Sequence, residues 1–495
     1  MQLRFETAGL TAVTASAVVL YCPEVPYDKV PILVELDKIL DGAIKEIYER
    51  GEFAGKPGQT AVLHTLSRIP AGRIILVGLG GKKDIDHECY RRASGVISRL
   101  AAVRKSPTVA FYFSDDASAD IGQAVVEGFM LGQYRFTTYK SPDDNVDQTG
   151  VLLFGARTKG ELNKLARGAE RGLIIAEGAV MVRDLSGTPA NELTPKKFAS
   201  QAGALAKKHG FTCTVLDEKQ IRAERMNCLY GVAKGSKEPP RFLVLKYSGA
   251  TTGKPIVLVG KGITFDAGGI SLKPGLNMHH MRSDMTGAAC VLGAVMTAAR
   301  LGLKRNVIGL LPLAENLPSG GALKPGDVVT SRKGKTIEII NTDAEGRLIL
   351  IDALDYANEF DPQAVIDIAT LTGGAMYITG YAAALLMGNN DKLKDNIRAA
   401  SDVSGERVWP LPIWDDYRDW MKSPVADLKN SGGKPATSCT AAAFLEVGGV
   451  GDWPWAHIDI ASVDLEEYGK AYVPKGYTGF GMRLLVAILS QWKKV

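Results

Sequence analysis

The sequence predicts an α/β protein in two parts: a smaller N-terminal α/β domain joined by a helix to a larger C-terminal α/β domain with a mixed central sheet. Three observations point there. The chain has 495 residues, more than one hydrophobic core normally serves, so two domains are the default. Short apolar runs alternate with longer stretches of helical apolar period. Gly-rich loops follow some of these runs, and α/β folds place their ligands at the ends of strands.

In the first part, strands are expected near 15–21, 60–65, 73–77, 108–112 and 151–154, with helices near 30–49, 87–103 and 118–131. The apolar stretch Leu10 to Cys22 is broken by Thr11, Thr14 and Ser16, follows Glu6 and lacks a small-residue cleavage site, so it reads as strand and not as signal peptide. Gly78-Leu-Gly-Gly81 resembles the start of a dinucleotide loop. It lacks the full G-x-G-x-x-G and a matching acid, and it reads as a turn. A charged, apolar-periodic stretch from Thr158 to Val182 reads as the linking helix. The expected division is 1–160, 161–182 and 183–495. Strands of the second part are expected at 211–216, 242–247, 256–259, 307–311, 365–368 and 457–460.

Composition excludes several classes. With 46% hydrophobic and 23% charged residues the mixture is that of a soluble globular protein, and no apolar run nears the ~18 residues that span a bilayer. Six scattered cysteines suit reduced thiols in a cytoplasm; Cys290, in a small-residue helix, reads as core. The net charge of +5 leaves DNA open as a partner, yet residues 1–160 carry 19 basic and 19 acidic residues and so no basic excess. The cluster Arg91, Arg92, Arg99, Arg104 and Lys105 reads as a solvated helix face more readily than as a phosphate-gripping stripe.

The chemistry concentrates in three segments. Asn341-Thr-Asp-Ala-Glu-Gly-Arg-Leu348 precedes an apolar helical run expected over 348–358. Read as extended chain, it points Asp343, Glu345 and Arg347 to one side, and two carboxylates so placed call for a cation. Taken alone, it also fits a surface loop with an Asp cap and an ion pair. The second segment, Pro255 to Pro274, runs from a strand into a loop holding Lys261, Asp266 and Lys273 among Gly262, Gly268 and Gly269, which suit close backbone approach. The third, Met281-Arg-Ser-Asp-Met-Thr-Gly287, brings Asp284 ahead of a helix to about Arg300. His279 and His280 read as solvated, and no His-Glu-x-x-His spacing occurs among the six histidines.

On these residues the chain resembles the leucyl aminopeptidases of the cytosol aminopeptidase family, dinuclear-metal exopeptidases that include the bacterial aminopeptidase A type. The octapeptide at 341–348 matches the family signature, and Val259-Gly-Lys-Gly-Ile-Thr-Phe-Asp266, Met281-Arg-Ser-Asp-Met285 and Asp184-Leu-Ser-Gly-Thr-Pro-Ala-Asn-Glu-Leu-Thr-Pro195 resemble further blocks in the same order. The likeness covers roughly residues 165 to 490. Two departures are Thr286, where a smaller residue is common, and Ser462, where glycine is usual.

The resemblance implies an enzyme that hydrolyses the N-terminal residue, leucine among others, from peptides in the cytoplasm. It implies two divalent cations, Mn or Zn, on Lys261, Asp266, Asp284, Asp343 and Glu345, with Asp266 and Glu345 bridging. Four carboxylates balance two such ions only if Lys261 is a neutral amine, so this lysine should titrate abnormally. By the same carry-over Lys273 stabilises the oxyanion, Arg347 holds a bicarbonate that relays protons, and Asn341, Met281, Thr370, Leu371 and Gly373 contact substrate. It further implies a homohexamer, a dimer of trimers, and, for some relatives, DNA binding as a recombination accessory or regulator.

Overall fold

The computed structural model describes residues 1–104, 106–114, 117–141 and 149–495, with Arg104 described by its backbone alone. The chain divides into two compact units, Met1–Glu177 with Glu467–Lys475, and Gly178–Glu466 with Gly476–Val495. The division falls inside one long helix, Lys159–Gly187. No described helix is long and apolar enough to cross a membrane.

In the first unit, six strands lie in the order Gln2–Thr7, Val151–Ala156, Thr108–Phe113, Ala17–Pro23, Arg73–Gly80 and Thr60–His64, all parallel except the last. The central strands read as unbroken apolar runs because both faces are covered. Val19, Ile75, Val77 and Phe111 enter one buried cluster, and their alternates Val18, Leu20, Ile74 and Leu76 enter another. Gln2–Thr7 is an edge strand that alternates exposed and half-buried residues over most of its length, and it was not expected from sequence. Leu10–Ala12 is a 3-10 turn, so the strand read into that stretch begins only at Ala17.

Three expectations are corrected here. The helix expected over 30–49 is two helices, Pro31–Ile39 and Ala43–Glu49. Asp41 and Gly42 take positive φ between them, and Asp37 Oδ1 accepts hydrogen bonds from Ile44 and Lys45 N, both at 2.9 Å, to start the second. Gly78 to Gly80 are strand and not turn, because the Gly55–Lys56 backbone crosses so closely that a Cβ on Gly78 would meet Lys56 O at 2.0 Å. Of the basic cluster, Arg91 is not on a solvated face: it is buried on the helix His87–Arg99, paired through Nε with Glu127 at 2.8 Å and also with Glu88, while Arg92 is exposed and Arg99 half-buried. Lys105 and the Arg104 side chain lie outside the described residues.

The second unit is built on a nine-stranded mixed sheet. Its order is Val408–Pro410, Ala384–Gly388, Trp455–Asp459, Ala364–Ala369, Ile256–Gly260, Asn306–Asn316, Arg241–Ser248, Thr212–Leu216, with Gly262–Asp266 added beside the far end of Asn306–Asn316. The middle of the sheet, 455–459, 364–369, 256–260 and 306–316, is parallel. Two helices cover this middle, Thr286–Arg300 and Glu345–Tyr356, and both are buried almost all round, as helices without a polar face must be. Each fully buried Leu or Ile in them contributes roughly 1.5–3 kcal/mol, which anchors the helix starts firmly.

The site segments differ from their sequence reading in two respects. Asp266 ends a strand, Gly262–Asp266, where a loop was expected; its parallel ladder with Leu313 to Asn316, shifted in register between Ile263 and Phe265, continues the sheet past Lys261. The octapeptide is not extended. Its helix starts at Glu345 instead of 348, so Glu345 and Arg347 sit on the first helical turn and Asp343 in the turn before it. The apolar run Leu348 to Ile351 extends helical structure back to the acid, since Glu at the first turn suits the positive end of the helix.

Candidate metal centre

The parallel strands deliver the site at their C-terminal ends, as open α/β sheets do. Lys261 follows Ile256–Gly260, Thr370 follows Ala364–Ala369, and Asp266 ends Gly262–Asp266. Lys261 is held by its own backbone, N to Ile368 O at 3.1 Å and O from Ala288 N at 2.8 Å. Asp284 closes the 3-10 turn Met278–Ser283 just before the helix at Thr286. Glu345 enters from the opposite helix. A Cβ on Gly346 would lie 2.4 Å from Lys261 Cε, so the glycine leaves room for the lysine.

These residues converge. Lys261 Nζ lies 2.7 Å from Asp284 Oδ1, 2.9 Å from Glu345 Oε1 and 2.9 Å from Thr370 O. Lys273 Nζ lies 2.8 Å from Asp266 Oδ2 and 2.5 Å from Asp343 Oδ1. One oxygen from each of Asp266, Asp343 and Glu345 falls within 4.8 Å of the others. All five expected metal-binding residues and Lys273 therefore share one small volume, each lysine bridging two acids.

The electrostatics follow from burial and crowding. Burial raises the Asp266 carboxyl, the neighbouring Glu345 charge adds to it, and together they push it up to about 6 against the two lysines. Asp284 and Asp343 are raised for the same first cause. Burial alone pulls the Lys261 amine down, but Asp284, Glu345 and Asp266 outweigh it and raise the ammonium above its ordinary range. The abnormal titration expected of Lys261 thus runs upward in the protein by itself; only added positive charge reverses that balance. Asp284 Oδ2 and Glu345 Oε2 are buried with no hydrogen-bond partner among the described residues. Acid-rich, oxygen-dominated and short of donors, the cluster fits hard divalent cations.

The remaining expected residues surround it. Thr370 Oγ1 donates to Asp284 Oδ1 at 2.7 Å while its carbonyl accepts from Lys261. Leu371 and Met281 are half-buried and Gly373 is exposed. Asn341 turns its carboxamide oxygen back to accept from Asp343 N at 2.9 Å, fixing the turn. Arg347 pairs with neither Asp343 nor Glu345 and donates through Nη1 to Asn430 O at 3.0 Å. Its Nε is buried without a partner among the described residues, and burial lowers its pKa to about 10 despite Glu345 and Asp459. The two departures are accommodated: Thr286 Oγ1 meets Ser186 Oγ at 2.9 Å and Ser283 O at 2.7 Å, and Ser462 Oγ donates to Ala383 O at 3.2 Å. The His279 and His280 rings lie beside each other, centroids 4.0 Å apart and planes tilted by 41°.

Supporting residues escaped the sequence reading. Asn316 donates to Asp266 Oδ1 at 2.8 Å and to Thr342 O at 3.0 Å, and Thr342 and Ser271 bond each other's backbone N reciprocally. Asp459, fully buried, accepts from Leu371 N, Thr372 N, Thr372 Oγ1 and Ala461 N. Asp367 accepts from Trp455 Nε1 at 2.7 Å and pairs with His457 Nδ1 at 2.5 Å. A polar pair ending the apolar strand at Glu315-Asn316, and the alternation of His457 and Asp459 within an apolar run, were the available signals.

Residues 180–486 match the catalytic domain of the cytosol aminopeptidase family, and residues 24–143 match its N-terminal domain. The chain belongs to the cytosol aminopeptidase family. It is a peptidase hydrolase of the aminopeptidase type. Probable cytosol aminopeptidases of Geotalea uraniireducens and Geobacter sulfurreducens are similar over most of their length. The first is 45% identical over 92% of both chains, the second 44% over 99% of both. Among solved structures, a tomato leucine aminopeptidase variant superposes with TM-score 0.89 at 29% identity, over 99% of this chain and 96% of that one. The bottromycin maturation enzyme BotP in complex with Mn gives 0.85 at 34% identity, over 96% and 99%.

Proposed function

We propose that this aminopeptidase removes the N-terminal residue from peptides, leucine among others, with two divalent cations held by Lys261, Asp266, Asp284, Asp343 and Glu345, Asp266 and Glu345 being shared. The observation that carries the reading is the gathering of three carboxylates within 4.8 Å between two acid-bridging lysines. The ions would be Mn or Zn; BotP, solved in complex with Mn, lends support to the first. When bound, such a pair supplies an activated water and polarises the scissile carbonyl.

The chain's own residues do the rest. Lys273, half-buried and raised in pKa by Asp266, Glu345 and Asp343 against its burial, stays charged and stabilises the oxyanion. Arg347 offers a buried Nε–H that has no partner among the described residues and would hold a planar bicarbonate; such an anion would supply a proton acceptor beside the nucleophilic water. Asn341, Met281, Thr370, Leu371 and Gly373 line the approach for the first substrate residue. We further assign the working form as a homohexamer in the cytoplasm, the family name and the six free cysteines supporting that compartment. A DNA-binding role would recruit Arg91 to a basic stripe, and that guanidinium is buried against Glu127.

The test is turnover of leucine p-nitroanilide against its N-acetyl form, with and without Mn. Metal-dependent turnover of the free amine alone is expected; equal turnover of both, or turnover in chelator, overturns the reading. Sedimentation giving an active monomer overturns the hexamer.

A further inference from the structure

We propose that Asn430 is a positioning residue of this centre, one side chain that sets the register of the whole 340–347 segment and so aligns the metal-binding acids with Arg347. The proposal rests on the two-metal reading above for its consequence, and on geometry for its substance.

Residues 427–430 run beside the approach to the octapeptide. Leu428 and Lys429 pair in parallel with Ile337 and Glu338, and Asn430 N donates to Glu338 O at 3.0 Å. There the ladder stops and the Asn430 side chain continues it. Its Oδ1 accepts from Ile340 N at 2.8 Å and Asn341 N at 3.2 Å; its Nδ2 donates to Asn341 O at 2.7 Å and Ala344 O at 3.4 Å. Its main-chain carbonyl accepts from Arg347 Nη1. Asn430 has no exposed surface.

A carboxamide has two acceptor sites and two N–H donors, and here all four are spent on main chain. No other side chain of this size presents both. Asp343 and Glu345 flank the Ala344 carbonyl that Asn430 holds, so a shift of that peptide moves both acids against Lys261 and Lys273. The same residue fixes Arg347 through its carbonyl, which couples the acid side of the centre to the anion side. Aspartate is nearly isosteric but turns a second acceptor toward the Asn341 and Ala344 carbonyls, replacing two hydrogen bonds by oxygen–oxygen repulsion in a buried place.

The experiment uses the full chain as Asn430→Asp, Asn430→Ala and, as a control on the same strand, Leu428→Ala. Three readouts are taken below the unfolding temperature: amide exchange over 340–347, Mn affinity by calorimetry, and kcat with and without bicarbonate. Both Asn430 variants should exchange faster at 340–344 and bind Mn ~10–100-fold more weakly, the scale for outer-shell partners of metal ligands. They should also lose kcat and bicarbonate response, while Leu428→Ala loses thermal stability and keeps all three. Unchanged exchange in folded Asn430 variants overturns the proposal whatever the metal does. So does Leu428→Ala weakening Mn as much as they do, or exchange that rises with Mn affinity intact. Wild type binding fewer than two Mn per chain would instead overturn the two-metal reading, with the exchange result still judging Asn430.

Discussion

Lys261 Nζ lies 2.7 Å from Asp284 Oδ1, and that same oxygen accepts the Thr370 hydroxyl at 2.7 Å. The lysine's place therefore fixes an acid and a strand end together. Its own place depends on Gly346, where a Cβ would fall 2.4 Å from Lys261 Cε and 2.7 Å from Nζ. Gly346→Ala should push the amine out of the cluster while keeping the helix, whose propensity alanine improves. Metal content by mass spectrometry should fall below that of wild type and activity with it, at little cost in Tm. Full metal occupancy would place the lysine outside the ligand set.

Lys273 bridges Asp266 and Asp343 from the solvent side of the centre. Bound cations take over that neutralisation, so Lys273→Ala should retain metal. Turnover should fall about a hundredfold, the usual loss for one oxyanion donor. Unchanged kcat in the metal-loaded variant would make the lysine structural.

Arg347 offers a sharper discrimination. Because it bonds Asn430 O and neither acid, Arg347→Ala should keep both metals and lose any response of rate to added bicarbonate, which wild type freed of bicarbonate should show. Arg347→Lys should not restore the full rate, since an ammonium lacks the planar fork. Release of metal by Arg347→Ala, with bicarbonate irrelevant in both proteins, would assign the arginine to loop shape.

The Asp367–His457 pair makes a pH prediction. Burial pulls the imidazole down, but the Asp367 carboxylate outweighs it and the net shift is upward from 6.5. A raised folded value means that the pair's stabilisation is complete below the ordinary imidazole range and is lost as pH rises through the raised one. Asp367→Asn should therefore cost most stability near pH ~6, about 3–5 kcal/mol for a broken buried pair, and less toward pH ~9. Denaturant unfolding of both proteins across that range checks it; a cost that grows with pH would reverse the assignment.

Much of this centre was legible in the chain because short spacings carried it. Asp343, Glu345 and Arg347 stand out together, although the fold places Asp343 in a turn and Glu345 and Arg347 on the helical turn that follows, and not all three on one face of an extended segment. The strand at Gly262–Asp266 went unread because glycines and an acid conceal five sheet residues. Asn430 and Asp459 could not be placed, since each acts on residues more than eighty positions away and a lone polar residue has no period. The break at Asp41-Gly42 and the edge strand at Gln2–Thr7 were missed for a related reason: local propensity is weak where tertiary contacts decide.

The segment Glu467–Lys475 belongs to the first unit although almost the whole of the second lies between them in sequence. Within that unit Tyr472 packs where any Cβ on Gly95 would stand, and its hydroxyl reaches Glu88, the partner of buried Arg91. During synthesis, residues 1–177 leave the ribosome long before Tyr472 is made. The Gly95 notch stays open and Glu88 lacks its phenol until every strand of the large sheet has been translated, so the first domain to emerge is among the last to be finished.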